Sequence, residues 1–162
     1  MLSQKIRKSG GGTGLNFFTS QWWAGCQSGD DGATIRAFEA HARTIRDRLT
    51  PELLALQEHL SLHDANLIAL SVMPEMQLAA LTLKLADGSD LKLRYGGLTA
   101  FETVQSPDHA LGGPGGYGDL GYDEIDVLDG GAFEHRLLFS SSIELRFRFA
   151  TLELRPPPRP SR

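Results

Sequence analysis

A histidine and an aspartate stand side by side at His63-Asp64, where the pattern of apolar residues changes. A carboxylate next to an imidazole can orient the ring and favour its charged form, as acid–base catalysis or ligand binding requires. The same pair can instead form a turn, in which the aspartate bonds to nearby backbone. We expect the turn, and keep as the alternative a ligand site around His63 and Asp64 with Tyr95 or His135 nearby.

Two other patterns that could do chemistry fail on their context. His59 and His63 are four residues apart, but a zinc protease needs a glutamate directly after its first histidine, and Leu60 stands there. The glycines between residues 112 and 121 fit G-x-G-x-x-G, but acidic residues and a strand pattern follow them where a dinucleotide site needs a helix. We therefore expect a loop, no metal site, no cofactor and no catalytic residues.

Carboxylates are concentrated between residues 119 and 129, with a spacing that does not fit a calcium-binding loop. The simplest interpretation is a solvated strand face and turn. The alternative is a docking surface for a basic partner protein, since complementary charge favours association. The residues that would form this surface are Asp119, Asp123, Glu124 and Asp126.

Trp22 and Trp23 are adjacent, so we expect one ring to pack and the other to be partly exposed. Exposed tryptophan is enriched at protein–protein contacts. Both residues are therefore candidates for a partner-binding surface, although a lid over the sheet is the simpler interpretation.

The composition limits the classes of protein that the chain can belong to. A net charge of −4 argues against a nucleic-acid partner, which would call for a basic face. No apolar run reaches the roughly 18 residues that a membrane helix needs, and we expect no membrane association. A single cysteine fits a reducing compartment, so a cytoplasmic location is the expectation.

We expect a flexible leader over residues 1–14. From there to residue 61, where the apolar residues change from helical spacing to strand alternation, helical spacing dominates. A helix is predicted where apolar residues recur on one face. Thr50-Pro51 predicts a stop and a restart, because a hydroxyl can cap the new helix and proline suits its first turn. The apolar face of the first of these two helices comprises Ile35, Phe38, Ala42, Ile45 and Leu49.

Strand alternation dominates the rest of the chain, up to a proline-rich tail over 156–162. Asp87-Gly88 predicts a hairpin, and a reversal of parity after Phe149 predicts a bulge or sharp bend near Ala150-Thr151. Because the helices precede the strands, we predict a single α+β domain over 15–155. Its N-terminal helices would pack on one face of a mostly antiparallel, curved sheet of about six or seven strands.

Three segments carry a family resemblance over roughly residues 15–155. They are Phe17-Phe18-Thr19 with Trp22-Trp23, Leu62-His63-Asp64-Ala65, and the run from Phe133-Glu134-His135-Arg136 to Phe147. In this order they resemble small bacterial domains of unknown function, and the His-Asp-Ala turn is similar to one group of immunity proteins of polymorphic toxin systems. The resemblance implies a partner protein such as a toxin, and no catalytic residues.

We expect a non-enzymatic, protein-binding domain of the immunity type. The alternative is a small enzyme or ligand-binding protein with its site at the helix–sheet joint around His63 and Asp64. An exposed sheet edge could also pair with a second copy of the chain.

Overall fold

The structure is a computed structural model, which describes residues 16–25, 32–104 and 116–155. The expected leader, the proline-rich tail, Cys26 and the first part of the glycine-rich segment lie outside the described residues. The described residues contain helices followed by antiparallel strands, which confirms the α+β class.

Three helices come first, and the break between the second and the third lies where the sequence predicts it. The Thr50 hydroxyl accepts a hydrogen bond from the backbone N–H of Leu53 at 3.4 Å. Pro51 follows in the first turn, where its missing N–H costs no hydrogen bond. The helices are α1 (Ser20–Gly25), α2 (Gly32–Ile45) and α3 (Pro51–Glu58).

The apolar face of α2 is less buried than its spacing predicts. Ile45 is buried in the core, whereas Phe38 is half-buried and 41% of Ile35 is exposed. The N-terminal part of this face lines a cavity next to the sheets instead of packing tightly.

The strands form two sheets, which corrects the expectation of one curved sheet with six or seven strands. Among the described residues, eight strands are divided equally between a sheet of order β1-β2-β3-β8 and a sheet of order β4-β7-β6-β5, and all pairs are antiparallel. The alternation of apolar residues does not predict β4. The strands are β1 (Asn66–Met73), β2 (Leu78–Lys84), β3 (Asp90–Gly96), β4 (Ala100–Val104), β5 (Leu120–Val127), β6 (Phe133–Phe139), β7 (Glu144–Phe149) and β8 (Thr151–Arg155).

A bent ribbon joins the two sheets, because β3 continues into β4 and β7 continues into β8. The ladder persists around the bend, where Ala150 N–H donates to the Gly96 carbonyl at 2.9 Å and Thr99 N–H donates to the Arg148 carbonyl at 2.8 Å. Gly97 has a φ of +61°, a conformation that favours glycine. The sharp bend predicted near Ala150-Thr151 is confirmed, and it is the point at which the chain changes sheet.

The core lies between the inner faces of the sheets. Tyr95 of β3 stacks on Phe147 of β7 with ring centroids 4.4 Å apart, so the two sheets are in direct contact. Leu53 and Leu56 of α3 are buried in the same apolar cluster. This packing places the end of α3, the turn at His63-Asp64 and the edge strand β5 next to one another.

Candidate functional site

A cavity of about 440 Å³ lies at the joint between the helices and strand β5. Its volume is within the range of small-molecule sites. Most of its wall is apolar. It comes from the segment just before α1, from α2, from α3 and the residues that follow it, and from β5. This apolar wall includes Phe18, Ile35, Phe38, Leu56, Leu60 and Ile125.

Polar groups converge on the same cavity, as is typical of binding sites. Asp123 reaches it from β5, Glu39 from α2, and His63 from the predicted turn. Ser61 and Gln57 complete this polar part of the wall. The sequence pattern points to Asp123 and His63 but not to the other three residues, which only the arrangement of the helices brings together.

Asp123 is held by a histidine that is completely buried. Its Oδ2 lies 3.0 Å from Nε2 of His135 on β6, and 27% of the Asp123 side chain remains exposed. On the other side of the ring, Nδ1 of His135 lies 2.8 Å from the Tyr95 hydroxyl. The three side chains form a hydrogen-bonded chain from the centre of the core to the cavity wall.

The direction of these hydrogen bonds follows from the state of the tyrosine. Burial raises the pKa of the Tyr95 hydroxyl well above its usual value, and the charge of Asp123 adds to this shift. The hydroxyl therefore keeps its proton. Since the Asp123 carboxylate accepts from Nε2–H, Nδ1 of His135 is the acceptor of a hydrogen bond from the hydroxyl. We assign the ring proton to Nε2, which donates to Asp123 and fixes the orientation of that carboxylate.

A signal for Asp123 was present in the sequence. Ile125 and Val127 lie on the apolar side of β5, and Asp123 has the same parity as these two residues. A lone carboxylate on the apolar side of a strand needs a buried partner. His135 is the partner, because Ile125 pairs with it across the sheet and Asp123 is one step further along the same face.

The outer face of β5 holds the segment that enters α1. Glu124 is 2% exposed and accepts backbone hydrogen bonds from Asn16, Phe17 and Phe18 at 2.8–2.9 Å. The Glu124 carboxylate also accepts a hydrogen bond from the guanidinium of Arg136 at 3.2 Å. Since Phe18 is part of the cavity wall, Glu124 fixes one side of the cavity from the opposite face of the strand.

The carboxylates expected to dock a partner, between residues 119 and 126, form contacts within the protein. Asp119 accepts from the side-chain amide of Asn66 at 2.7 Å, and Asp126 lies 3.1 Å from Nε2 of His41 and 3.4 Å from a guanidinium nitrogen of Arg136. With Asp123 and Glu124 paired as described, all four expected docking carboxylates have internal partners. The expected solvated face is wrong for Glu124, which is buried.

The His63-Asp64 pair lies at the mouth of the cavity. Nδ1 of His63 is 3.1 Å from Oδ1 of Asp64, and both side chains are largely exposed. Asp64 has a φ of +64°, and the N–H of Ala65 donates to the Leu62 carbonyl at 3.0 Å, so the chain turns here. The Asp64 N–H donates to the Leu120 carbonyl at 2.8 Å, which ties this turn to β5. His63 lines the cavity as well, which places it next to the wall that Asp123 forms.

Both tryptophans pack against Tyr122, and both are half-buried. The ring centroids of Trp22 and Trp23 lie 5.0 and 5.3 Å from that of Tyr122, and Phe18 stacks on the same tyrosine at 4.6 Å. The Trp23 ring also covers Gly121, the residue that precedes Tyr122 on β5. These contacts attach α1 to the sheet.

A second cavity, of about 540 Å³, lies at the bend between β3 and β4. It is larger, but no ionisable side chain lines it among the described residues, and its polar groups are Gln77 and Thr99. Chemistry therefore favours the helix–sheet cavity over the larger one.

Within residues 16–25, 32–104 and 116–155, no three histidine, cysteine or acidic side chains lie in a position to share a metal ion. None of the helices described is both long and apolar enough to cross a membrane. Comparison of the chain with protein-family models finds no match, and comparison with curated proteins finds no significant sequence similarity.

Proposed function

We propose that this chain is a non-enzymatic binding domain whose site is the cavity at the helix–sheet joint. The observation that carries the proposal is the convergence of Asp123, Glu39 and His63 on an apolar cavity large enough for a small molecule. The site is the one expected as the alternative around His63 and Asp64, with Tyr95 and His135 behind its wall.

The roles of the histidines favour binding over catalysis. Both ring nitrogens of His135 are hydrogen-bonded within the protein, and its buried side chain is not part of the cavity wall, so it does not contact a molecule bound there. His63 is exposed beside Asp64, which makes their mutual attraction weak. We therefore assign His135 to support of the wall and His63 to the mouth of the site.

A screen of small apolar molecules by ligand-observed NMR tests this proposal with a matched pair of variants. Ile35→Trp places an indole at the cavity, whereas Ile68→Trp places the same group on β1, where the side chain is exposed and outside the cavity wall. We expect ligands that bind the unaltered protein to lose binding to the Ile35→Trp variant and to keep it with the Ile68→Trp variant. Equal binding to both variants, or no ligand at all, would contradict the proposal.

The resemblance to immunity proteins predicts a partner protein instead, and the same variants separate the two occupants. The alternative would be favoured by two results together. A partner protein isolated with the chain would bind both variants equally, and no small molecule would bind in the cavity. The acidic docking surface expected from the sequence gains no support, because its four carboxylates have partners within the protein. They are Asp119, Asp123, Glu124 and Asp126.

A further inference from the structure

We infer that the cavity takes an apolar molecule that carries a protonated amine, and that Asp123 recognises its positive charge. This inference rests on the proposed function, since it names the class of ligand for the same site. It follows from the charge of the wall, from the way in which Asp123 is held, and from the rings that surround it.

The charge of the wall is negative. Asp123 and Glu39 are its carboxylates, and neither lysine nor arginine is among the described residues that line it. The arginines Arg43 and Arg46 line an adjoining depression that shares Phe38, Glu39 and Gln57 with the cavity, and Arg46 is paired with Glu58 at 2.7 Å. A cation inside the cavity therefore meets attraction, while an anion meets repulsion.

Asp123 has the geometry of a prepared acceptor. One oxygen is fixed by the buried Nε2–H of His135, and no other hydrogen bond to this carboxylate comes from the described residues. Because Tyr95 in turn fixes the ring of His135, the carboxylate is oriented before a ligand arrives. Its second oxygen is left to accept a hydrogen bond from an ammonium group, and a charged partner strengthens such a bond.

The rest of the wall suits the body of such a molecule. Phe18, Phe38 and Tyr122 present aromatic rings to the cavity, and Leu56 and Ile125 present aliphatic side chains. Phe18 and Tyr122 stack on each other at 4.6 Å, so these rings give the ligand's body an apolar surface to pack against.

Three probes that share one apolar body test the inference by calorimetry at neutral pH: 4-phenylbutylamine, the neutral 4-phenylbutanol and the anionic 4-phenylbutanoate. We expect the amine to bind the unaltered protein about tenfold more tightly than the alcohol, as one charged hydrogen bond would provide. We expect no binding of the anion. The Asp123→Asn variant should lose about tenfold in affinity for the amine and keep its affinity for the alcohol.

Asp129→Asn is the matched control, because it removes the same charge from the exposed turn after β5, outside the cavity wall. It should leave both affinities unchanged. Equal binding of amine and alcohol, or an Asp123→Asn variant that binds the amine as before, would overturn the inference and leave the proposed function intact. If the Asp123→Asn variant does not fold, the order of the three probes on the unaltered protein decides. Failure of every apolar molecule to bind would overturn the proposed function itself.

Discussion

The hydroxyl of Tyr95 on one sheet lies 2.8 Å from Nδ1 of His135 on the other, so a polar bond joins the two sheets inside the apolar core. Both side chains are fully buried, and each satisfies a polar atom that would otherwise have no partner there. The bond matters for the site because it fixes the ring of His135, and the hydrogen bond from this ring orients the Asp123 carboxylate at the cavity wall.

Replacement of Tyr95 by phenylalanine should destabilise the protein. The change leaves Nδ1 of His135 buried without its donor, and an unsatisfied buried group costs about 1–3 kcal/mol. Urea unfolding followed by circular dichroism measures this loss. An unchanged free energy of unfolding would show that the hydroxyl is not needed to satisfy His135.

The contribution of Tyr95 to stability should depend on pH in the alkaline range. Burial raises the pKa of this hydroxyl in the folded state, whereas in the unfolded chain it ionises near pH 10, about the value of free tyrosine. As the pH rises above 10, the unfolded state loses the proton first and unfolding becomes easier, by up to about 1.4 kcal/mol per pH unit.

The Tyr95→Phe variant lacks this titration, which makes it the control for all other groups that ionise in the same range. The stability advantage of the unaltered protein over the variant should be constant below pH 10 and should shrink above it. An advantage that stays constant or grows above pH 10 would contradict the buried, protonated state of Tyr95.

Glu124→Gln should loosen the segment that enters α1. The carboxylate accepts three backbone hydrogen bonds from residues 16–18, and an amide offers fewer acceptor sites and no charge. We expect a loss of about 1–3 kcal/mol in stability and faster hydrogen exchange at the amides of Phe17 and Phe18.

Glu102→Gln is the matched control for this change. Glu102 pairs with Arg146 on the same outer face of the sheet and makes no hydrogen bond to residues 16–18. Exchange at Phe17 and Phe18 should be unaffected in this variant. If both variants accelerate exchange equally, the cause is the loss of a charge from the outer face of the sheet, and not the loss of the hydrogen bonds between Glu124 and residues 16–18.

Gly121→Ala should displace the ring of Trp23. A methyl group at this position would lie 2.0–2.1 Å from two ring carbons, which is far inside van der Waals contact. We expect a cost of about 1–3 kcal/mol and a red shift of the tryptophan fluorescence as the ring becomes more exposed. Gly25→Ala, where a methyl group meets nothing within 4 Å, should leave the fluorescence unchanged and should not lower the stability.

The parts of the fold that depend on local sequence could be predicted. Thr50-Pro51 marks the start of α3 because the capping hydroxyl and the proline act within one turn. The change of parity at Ala150 predicts a bend because a single extra residue reverses every later side chain. β4 was missed, since Ala100–Val104 is short and carries Glu102 among its apolar residues.

The site could be predicted only in part, because its residues come from distant segments of the chain. The pairing of Tyr95 with His135 joins residues that are 40 positions apart, and sequence analysis placed them near the same joint without predicting their contact. Asp123 was assigned to an acidic surface because it stands within an acidic run. Its parity with Ile125 and Val127 places it on the core-facing side of β5, whereas its contacts with His135 and the cavity depend on tertiary packing.

The most direct test of the central claim is a titration of the isotope-labelled protein with 4-phenylbutylamine, followed through its backbone amide resonances. Binding in the helix–sheet cavity predicts saturable shifts at Ser61, His63 and Asp123, with Ile68 and Asp129 unaffected. Shifts that do not saturate, or that are centred away from the cavity wall, would contradict a binding site at this joint.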